Sequence, residues 1–89
     1  MVKIQKVIHL YPKAETKLID GVYKPELIPL TDLPPEHEKQ MRFTRLQKEM
    51  LFISKRIPML MPDQVLLALE MNYDIFNLIS TGQAINKNA

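Results

Sequence analysis

The chain has 89 residues, of which 46% are hydrophobic and 25% charged, a balance that indicates one small globular domain and excludes a disordered segment. It contains no cysteine, so a disulfide framework and a thiolate metal site are both excluded. The longest apolar runs, 65–69 and 59–61, fall far short of the roughly 20 residues that span a bilayer, and no signal peptide follows Met1. We therefore expect a cytoplasmic protein without a membrane span.

The first third of the chain, residues 1–33, is predicted to be rich in β structure. Apolar and polar side chains alternate at the start of 2–11, which is typical of a strand with one buried face. Asp20-Gly21 then separates two apolar pairs and can adopt the positive φ values of a two-residue hairpin turn. Pro25 and Pro29 cannot donate to a ladder, so the strand after this turn is predicted to be an edge strand or only partly paired.

A single long helix is predicted over residues 34–57. Pro34 and Pro35 suit its first turn, and Pro58 stops it. One apolar stripe recurs at steps of three and four residues, and its members are Phe43, Leu46, Met50, Ile53 and Ile57. We expect this stripe to be buried against the apolar side chains of the following segment, which are Val65, Leu66, Leu69 and Phe76.

Residues 58–80 are predicted to form one or two helices. Pro62-Asp63 suits a helix start, and Asp74 or Asn72 could cap a last short helix. Gly82 favours a stop, and residues 81–89 are predicted to be a frayed, flexible tail. The predicted fold is therefore α+β: an N-terminal β-hairpin or small antiparallel sheet followed by two or three packed helices.

The sequence offers little material for catalysis. His9 and His37 have no carboxylate pair at a ligand spacing, and the two glycines cannot build a phosphate loop. We therefore expect no enzyme activity, no metal and no cofactor. The net charge of +2 is small and glutamates lie among the basic residues of 34–57, which disfavours nucleic acid as a partner.

A protein partner fits the composition better. Methionine and phenylalanine give adaptable contact area, whereas exposed charges steer and select a partner. The predicted contact area comprises Met50, Ile57, Met59, Met61 and Phe76, with Arg42, Arg45 and Arg56 orienting the partner. We further expect the isolated chain either to self-associate or to leave an apolar groove near 59–61 that a partner helix fills.

Two segments carry a family resemblance. The hairpin 19–27, IDGVYKPEL, and the stretch 62–76, PDQV followed by LE and YDIF, are similar to a "DG…Y…L.L" hairpin and a "P-E-E-V…L-D…D-F…L" ending. With them the chain resembles, over nearly its whole length, the small tail assembly chaperones of long-tailed bacteriophages. The resemblance implies a non-catalytic protein that binds the tape measure protein and tail tube subunits, with a longer frameshifted product sharing its N-terminus. The alternative is a small phage-type regulatory or inhibitory module that binds a host protein, and a helix-turn-helix DNA binder is less favoured.

Overall fold

A small sheet and several short helices make up the structure, a computed structural model that describes residues 9–88. The strands are β1 (Thr16–Ile19), β2 (Val22–Pro29), β3 (Tyr73–Asp74) and β4 (Ile85–Asn86). The helices are α1 (Pro35–Met41), α2 (Arg45–Lys48), which a π-helical segment Glu49–Ile53 continues, and α3 (Pro62–Glu70). A 3-10 turn, Leu30–Asp32, connects β2 to α1. The predicted α+β fold class is confirmed.

The predicted hairpin forms at Asp20-Gly21. Strands β1 and β2 pair antiparallel, with Ile19 opposite Val22 next to the turn. Asp20 and Gly21 have φ values of 51° and 78°, so both turn residues lie in the left-handed region that this tight hairpin requires. The turn position predicted from the Asp-Gly pair is therefore confirmed, and the pair determines which residues of β1 and β2 lie opposite each other.

Strand β2 pairs with each of the other three strands, so the prediction of an edge strand is wrong and the alternative of partial pairing describes it. The amides of Glu26 and Ile28 donate to the carbonyls of Glu15 and Asn72. Backbone groups alternate along a strand, so the odd-numbered residues face the opposite edge, where the Leu27 carbonyl accepts from the amide of Lys87. Pro25 and Pro29 face that edge too, on either side of Leu27, and their missing N–H groups therefore break no ladder bond to β1 or β3.

Two short C-terminal strands complete the sheet, and neither was predicted. Both run parallel to β2, with Tyr73 opposite Ile28 and Ile85 opposite Glu26. The prediction of a flexible tail over 81–89 is wrong for the part described, because Ala84 is buried and residues 85–86 are paired. The amides of residues 83 and 84 both donate to the carbonyl of Leu78, which turns the chain back toward β2.

The predicted helix 34–57 is wrong, because the chain breaks between α1 and α2. Arg42 has a φ of 54°, a left-handed conformation that ends α1. Thr44 then caps α2: its hydroxyl accepts from the amide of Gln47, and the Gln47 side chain accepts from the amide of Thr44. This reciprocal arrangement is a capping box, and it gives α2 its own start.

The break also rotates the buried face away from the predicted stripe. Phe43, Gln47 and Leu51 are buried, whereas Leu46 is 67% exposed and Ile53 is 76% exposed. The predicted burial of Leu46 and Ile53 is therefore wrong. Gln47 takes the inward position because its side-chain amide forms hydrogen bonds there. A leucine at position 47 could not form these bonds and would leave their partners unpaired.

Beyond α3, the predicted second helix is replaced by a turn. Asn72 and Asn77 have φ values of 64° and 59°, which a continuing helix cannot accommodate. Asp74, predicted with Asn72 as a possible cap of that helix, instead stabilises the turn: its two carboxylate oxygens accept from the amides of Leu78 and Ile79 at 2.8 and 2.9 Å. The first helix of the predicted 58–80 region corresponds to α3.

Little of the predicted strand 2–11 can be compared with the structure, since residues 2–8 lie outside the described residues. Of the remainder, His9 and Leu10 are helical, so the strand is wrong there. Tyr11 is buried, and its hydroxyl donates to the carbonyl of Tyr73 at 2.6 Å. At residues 9–11 the chain is therefore connected to the C-terminal part through the Tyr11 side chain.

The core consists of two apolar clusters. Helix-side residues form the larger cluster, whose buried members are Leu30, Met41, Phe43, Leu51, Ala68, Tyr73 and Ile75. The sheet-side cluster consists of Tyr11, Leu27, Leu78 and Ala84, and Leu69 packs against both. The predicted contact of Phe43 with Val65 and Leu69 falls within the larger cluster, but Leu66 and Phe76 are exposed, so their predicted burial is wrong.

Candidate protein-binding surface

An open groove of about 940 Å³ lies between α1 and α3, and we call it the α1–α3 groove. Met41, which is buried, and the half-buried Leu67 line it, as do Met61 and Leu66, which are 61% and 68% exposed. Its polar lining comprises Glu36, Lys39, Gln40, Arg42, Asp63, Gln64 and Glu70. The groove thus combines an apolar surface with charged margins, which is the usual composition of a protein-binding site.

Two buried glutamines hold the helices around the groove. Gln47 and Gln64 bond to each other in both directions, with Nε2 to Oε1 distances of 2.8 and 3.0 Å. Gln64 also donates to the carbonyl of Met41 and accepts from the amide of Met61, while Gln47 donates to the carbonyl of Met59. Each side chain therefore accepts from a backbone amide at the start of its own helix and donates to a backbone carbonyl of a neighbouring segment. We call Gln47 and Gln64 the glutamine clamp.

The glutamine clamp explains why the groove has a defined shape. It connects the end of α1, the start of α2 and the start of α3 through side chains that are less than a tenth exposed. Buried amide groups with all their bonds made are rigid, because any movement leaves a polar group unpaired in an apolar surrounding. The backbone at Met41 and Met61, on opposite sides of the groove, is thereby kept in place.

Charges of both signs line the margins. Glu70 forms an ion pair with Lys13 at 2.7 Å, and the hydrogen bond from Lys13 holds the pKa of that carboxyl below its usual value. Over residues 9–88, no ion pair within 4 Å involves Lys39, Arg42 or Asp63. Two cations at the C-terminal end of α1 and one carboxylate at the start of α3 are consequently available to a partner.

The structure does not bring the eight predicted contact residues together. Arg42 and Met61 line the α1–α3 groove, whereas Arg56 and Ile57 line a second, smaller cavity. Arg45 is exposed and pairs with Glu49 at 3.5 Å. The other three lie outside both sites: Met59 is 91% exposed, Phe76 is exposed and Met50 is half-buried.

Several residues of the groove were missed by the sequence reasoning. The spacing of Leu66 from Leu69 fits a buried helix face and so predicts a core position, and Met41 lies outside the predicted apolar stripe. A usable signal was present in Thr44-x-x-Gln47, the sequence form of a capping box. Recognising a helix start there would have separated α1 from α2 and placed Arg42 at a helix end.

One further polar contact lies at the start of α1. His37 Nδ1 contacts the hydroxyl of Tyr73, and the two rings meet edge to face. Burial, with a smaller contribution from Glu36, raises the pKa of the Tyr73 hydroxyl. The pair connects the half-buried His37 of α1 to Tyr73 of β3, a buried core residue.

Among residues 9–88 no three His, Asp or Glu side chains form a group that could hold a metal ion. No helix in that part of the chain is long and apolar enough to cross a membrane.

Comparison with known proteins adds no relative. No protein-family model matches the chain, and neither a curated protein nor a solved structure matches it.

Proposed function

We propose that the chain is a non-catalytic protein-binding module whose α1–α3 groove receives an apolar helical segment of another protein. The observation that carries the proposal is the exposure of Met61 and Leu66 beside the apolar lining of a groove. Single exposed apolar residues are common on protein surfaces, but several that border one concavity mark an interaction site.

The wall of the groove that α3 forms is long enough to contact two to three turns of a helix. Helix α3 has nine residues and is therefore about 14 Å long, which matches between two and three turns of a partner helix. A helix in a groove contacts its receptor through anchors one and two turns apart. Met41 and Met61 are adaptable walls for such anchors, since methionine side chains are flexible and polarizable.

The charges at the margins supply orientation. Lys39 and Arg42 lie at the C-terminal end of α1, and Asp63 lies in the first turn of α3. A partner helix with acidic residues toward α1 and a basic residue toward α3 would complement them. Such exposed charges mainly determine the encounter rate and the choice of partner, whereas the apolar anchors determine the affinity.

The resemblance to tail assembly chaperones identifies the partner that we propose. It would be the tape measure protein, a long helical protein, with tail tube subunits as further partners, in the cytoplasm of the host cell. Arg45, Met50, Arg56, Ile57, Met59 and Phe76 are proposed as additional contacts for the parts of the partner that extend beyond the groove.

A pull-down from phage-infected cells tests the proposal. The full chain and two variants with the same change of charge serve as baits: Leu66→Lys in the groove and Leu18→Lys on exposed β1. We expect the unchanged chain and Leu18→Lys to capture one long helical phage protein at both about 50 and about 200 mM salt. Leu66→Lys should bind that purified protein about tenfold more weakly by calorimetry, because it places a charge where an apolar anchor belongs.

Four results would contradict the proposal. Equal binding by Leu66→Lys would move the site away from the groove, and capture of a host enzyme instead would favour the regulatory or inhibitory module. Duplex DNA binding that falls by about 10³ or more over the same salt range, with a slope about one unit smaller in Arg42→Ala, would make the ligand a nucleic acid. Light scattering that shows a dimer, lost in Leu66→Lys, would make a second copy of the chain the occupant.

A further inference from the structure

A second cavity, of about 320 Å³, lies between the end of β2, the π-helical end of α2 and the turn after β3. Its apolar lining comprises Pro29, Leu30, Leu51, Ile57 and Ile79, and its polar lining comprises Thr31, Lys55, Arg56, Asp74, Asn77 and Ser80. We call it the π-end cavity. Its volume is at the lower end of the range for small-molecule sites, so it suits one small ligand and not a helix.

The polar lining of the π-end cavity contains two cations that form no ion pair within the described residues. Lys55 and Arg56 are adjacent and exposed, and no ion pair within 4 Å involves either of them anywhere in 9–88. The carboxylate in the lining belongs to Asp74, which is buried and whose two oxygens already accept from the amides of Leu78 and Ile79. The lysine and arginine are therefore available to an anion from outside.

Two of the five non-glycine residues with positive φ in the described part of the chain line the same cavity. Lys55 and Asn77 have φ values of 56° and 59°, in the left-handed region. Asparagine tolerates this conformation, but lysine does so at a conformational cost that glycine, the usual residue at such a helix end, would avoid. Strained residues of this kind collect at ligand sites, where the surrounding structure maintains them.

The end of the π-helical segment explains how the strained lysine is maintained. The amide of Arg56 donates to the carbonyl of Met50 at 2.9 Å, and that of Ser54 donates to the carbonyl of Glu49 at 3.1 Å. These two bonds close the end of the helix around Lys55. A cation there also complements the negative end of the helix, but that effect does not account for Arg56 beside it or for the apolar lining.

We propose that the π-end cavity binds a small organic monocarboxylate with an apolar body. The body lies against the leucine and isoleucine side chains, and the carboxylate pairs with Lys55 and Arg56. The hydroxyl of Thr31 and the side-chain amide of Asn77 form no hydrogen bond within residues 9–88 and are further donors to the carboxylate. Arg56 and Ile57 are also among the additional contacts proposed for the protein partner, but the cavity is separate from the α1–α3 groove and its ligand is tested on the chain alone.

Titration of the ¹⁵N-labelled full chain with 3-phenylpropionate, followed by NMR, tests the inference. We expect saturable shifts of amides at Lys55, Ile57, Asn77 and Ser80. The neutral 3-phenylpropionamide should bind about tenfold more weakly, since it loses the charge-assisted bonds, and inorganic phosphate should bind about as weakly because it has no apolar body.

A matched pair of variants distinguishes the cavity from general surface charge. Lys55→Gln should weaken binding about tenfold, while Lys87→Gln, the same change at an exposed lysine that also forms no ion pair within residues 9–88 and lies outside both cavities, should leave it unchanged. Both positions are exposed, and the NMR spectrum reports whether each variant is folded. The inference is overturned by shifts that do not saturate, by an amide or phosphate that binds as tightly as the carboxylate, or by equal losses in the two variants.

Discussion

The hydroxyl group of Tyr11 connects the N-terminal segment to the C-terminal third through two buried hydrogen bonds. The hydroxyl of Tyr11, in a fully buried side chain, donates to the carbonyl of Tyr73 at 2.6 Å and accepts from the amide of Ile75 at 3.2 Å. Burial raises the pKa of this phenol well above its ordinary value of 10.0. Tyr11 therefore stabilises the fold both by packing in the core and by two buried hydrogen bonds.

Replacing Tyr11 with phenylalanine should destabilise the fold by about 1–3 kcal/mol at neutral pH. The substitution keeps the ring but leaves the Tyr73 carbonyl and the Ile75 amide buried without a partner. Urea unfolding at pH 7, followed by circular dichroism, measures the difference. A loss below about 0.5 kcal/mol would mean that water reaches both backbone groups.

The Tyr11→Phe variant also isolates the contribution of this phenol to the pH dependence of folding stability. Folding raises the pKa of Tyr11, so the neutral phenol favours the folded state: its contribution is complete below the unfolded value near 10 and is lost as the pH rises above it. Between pH 10 and 11, the unchanged chain should lose up to about 1.4 kcal/mol more than Tyr11→Phe. Parallel curves for the two proteins would exclude the phenol as the source, because both carry the same lysines.

Residue-level chemistry was predictable where the signal is local. Asp20-Gly21 specifies its own turn, and Asp74 caps the amides that follow it, as expected from their side chains alone. The bonds of Tyr11 to Tyr73 and of Gln47 to Gln64 were not predictable, because these partners lie far along the sequence.

At the scale of one element, helix α2 and its π-helical continuation show how a periodic pattern can mislead. The spacing of Leu46, Met50 and Ile53 fits a buried stripe, but the inward residues are Phe43, Gln47 and Leu51. The capping box at Thr44 and the bonds of the glutamine clamp hold Gln47 inside. The hydrogen bonds of Gln47 thus determine the inward face more strongly than the apolar pattern does. The spacing of apolar residues carries no information about these bonds.

Two leucines in this element form a matched test of the rotated face. Leu51→Ala should cost about 2–5 kcal/mol, because Leu51 is buried in the larger cluster. Leu46→Ala, the same change at a side chain that is 67% exposed, should cost less than about 0.5 kcal/mol. Chemical denaturation of both variants gives the comparison, and the reverse ranking would restore the stripe to the core.

At the scale of the whole molecule, residues near the end of the chain complete the sheet. Strand β4 lies beside β2, Lys87 donates to the carbonyl of Leu27, and Ala84 belongs to the sheet-side cluster. The sequence predicts a loose end here because Gly82 and several polar residues follow the last apolar run. Two paired residues are too short a strand for any periodicity to reveal, so this closure could not be predicted.

Removal of residues 83–89 should therefore destabilise the entire fold. Leu27 is completely buried and would be uncovered, and its carbonyl would lose the bond from Lys87. Exposure of one large apolar side chain costs about 1.5–3 kcal/mol, which in a domain of this size lowers the melting temperature by roughly 10 °C or more.

A shorter deletion provides the control. Removing only residues 88–89 leaves β4 and Lys87 in place, so the melting temperature should stay within a few degrees of the full chain. Thermal unfolding followed by circular dichroism compares the three proteins. Equal melting temperatures for the full chain and the longer deletion would show that β4 adds nothing to the core.

The two prolines of β2 also protect the molecule from its own copies. An unpaired strand edge invites a strand from another molecule to extend the ladder, which is the first step of sheet aggregation. At the edge that carries β4, the chain positions on either side of Leu27 are Pro25 and Pro29, which have no amide hydrogen to donate. An incoming strand would find amide donors missing on both sides of Leu27, the position that β4 already pairs, so the prolines disfavour the extension of the sheet at this edge by a second copy.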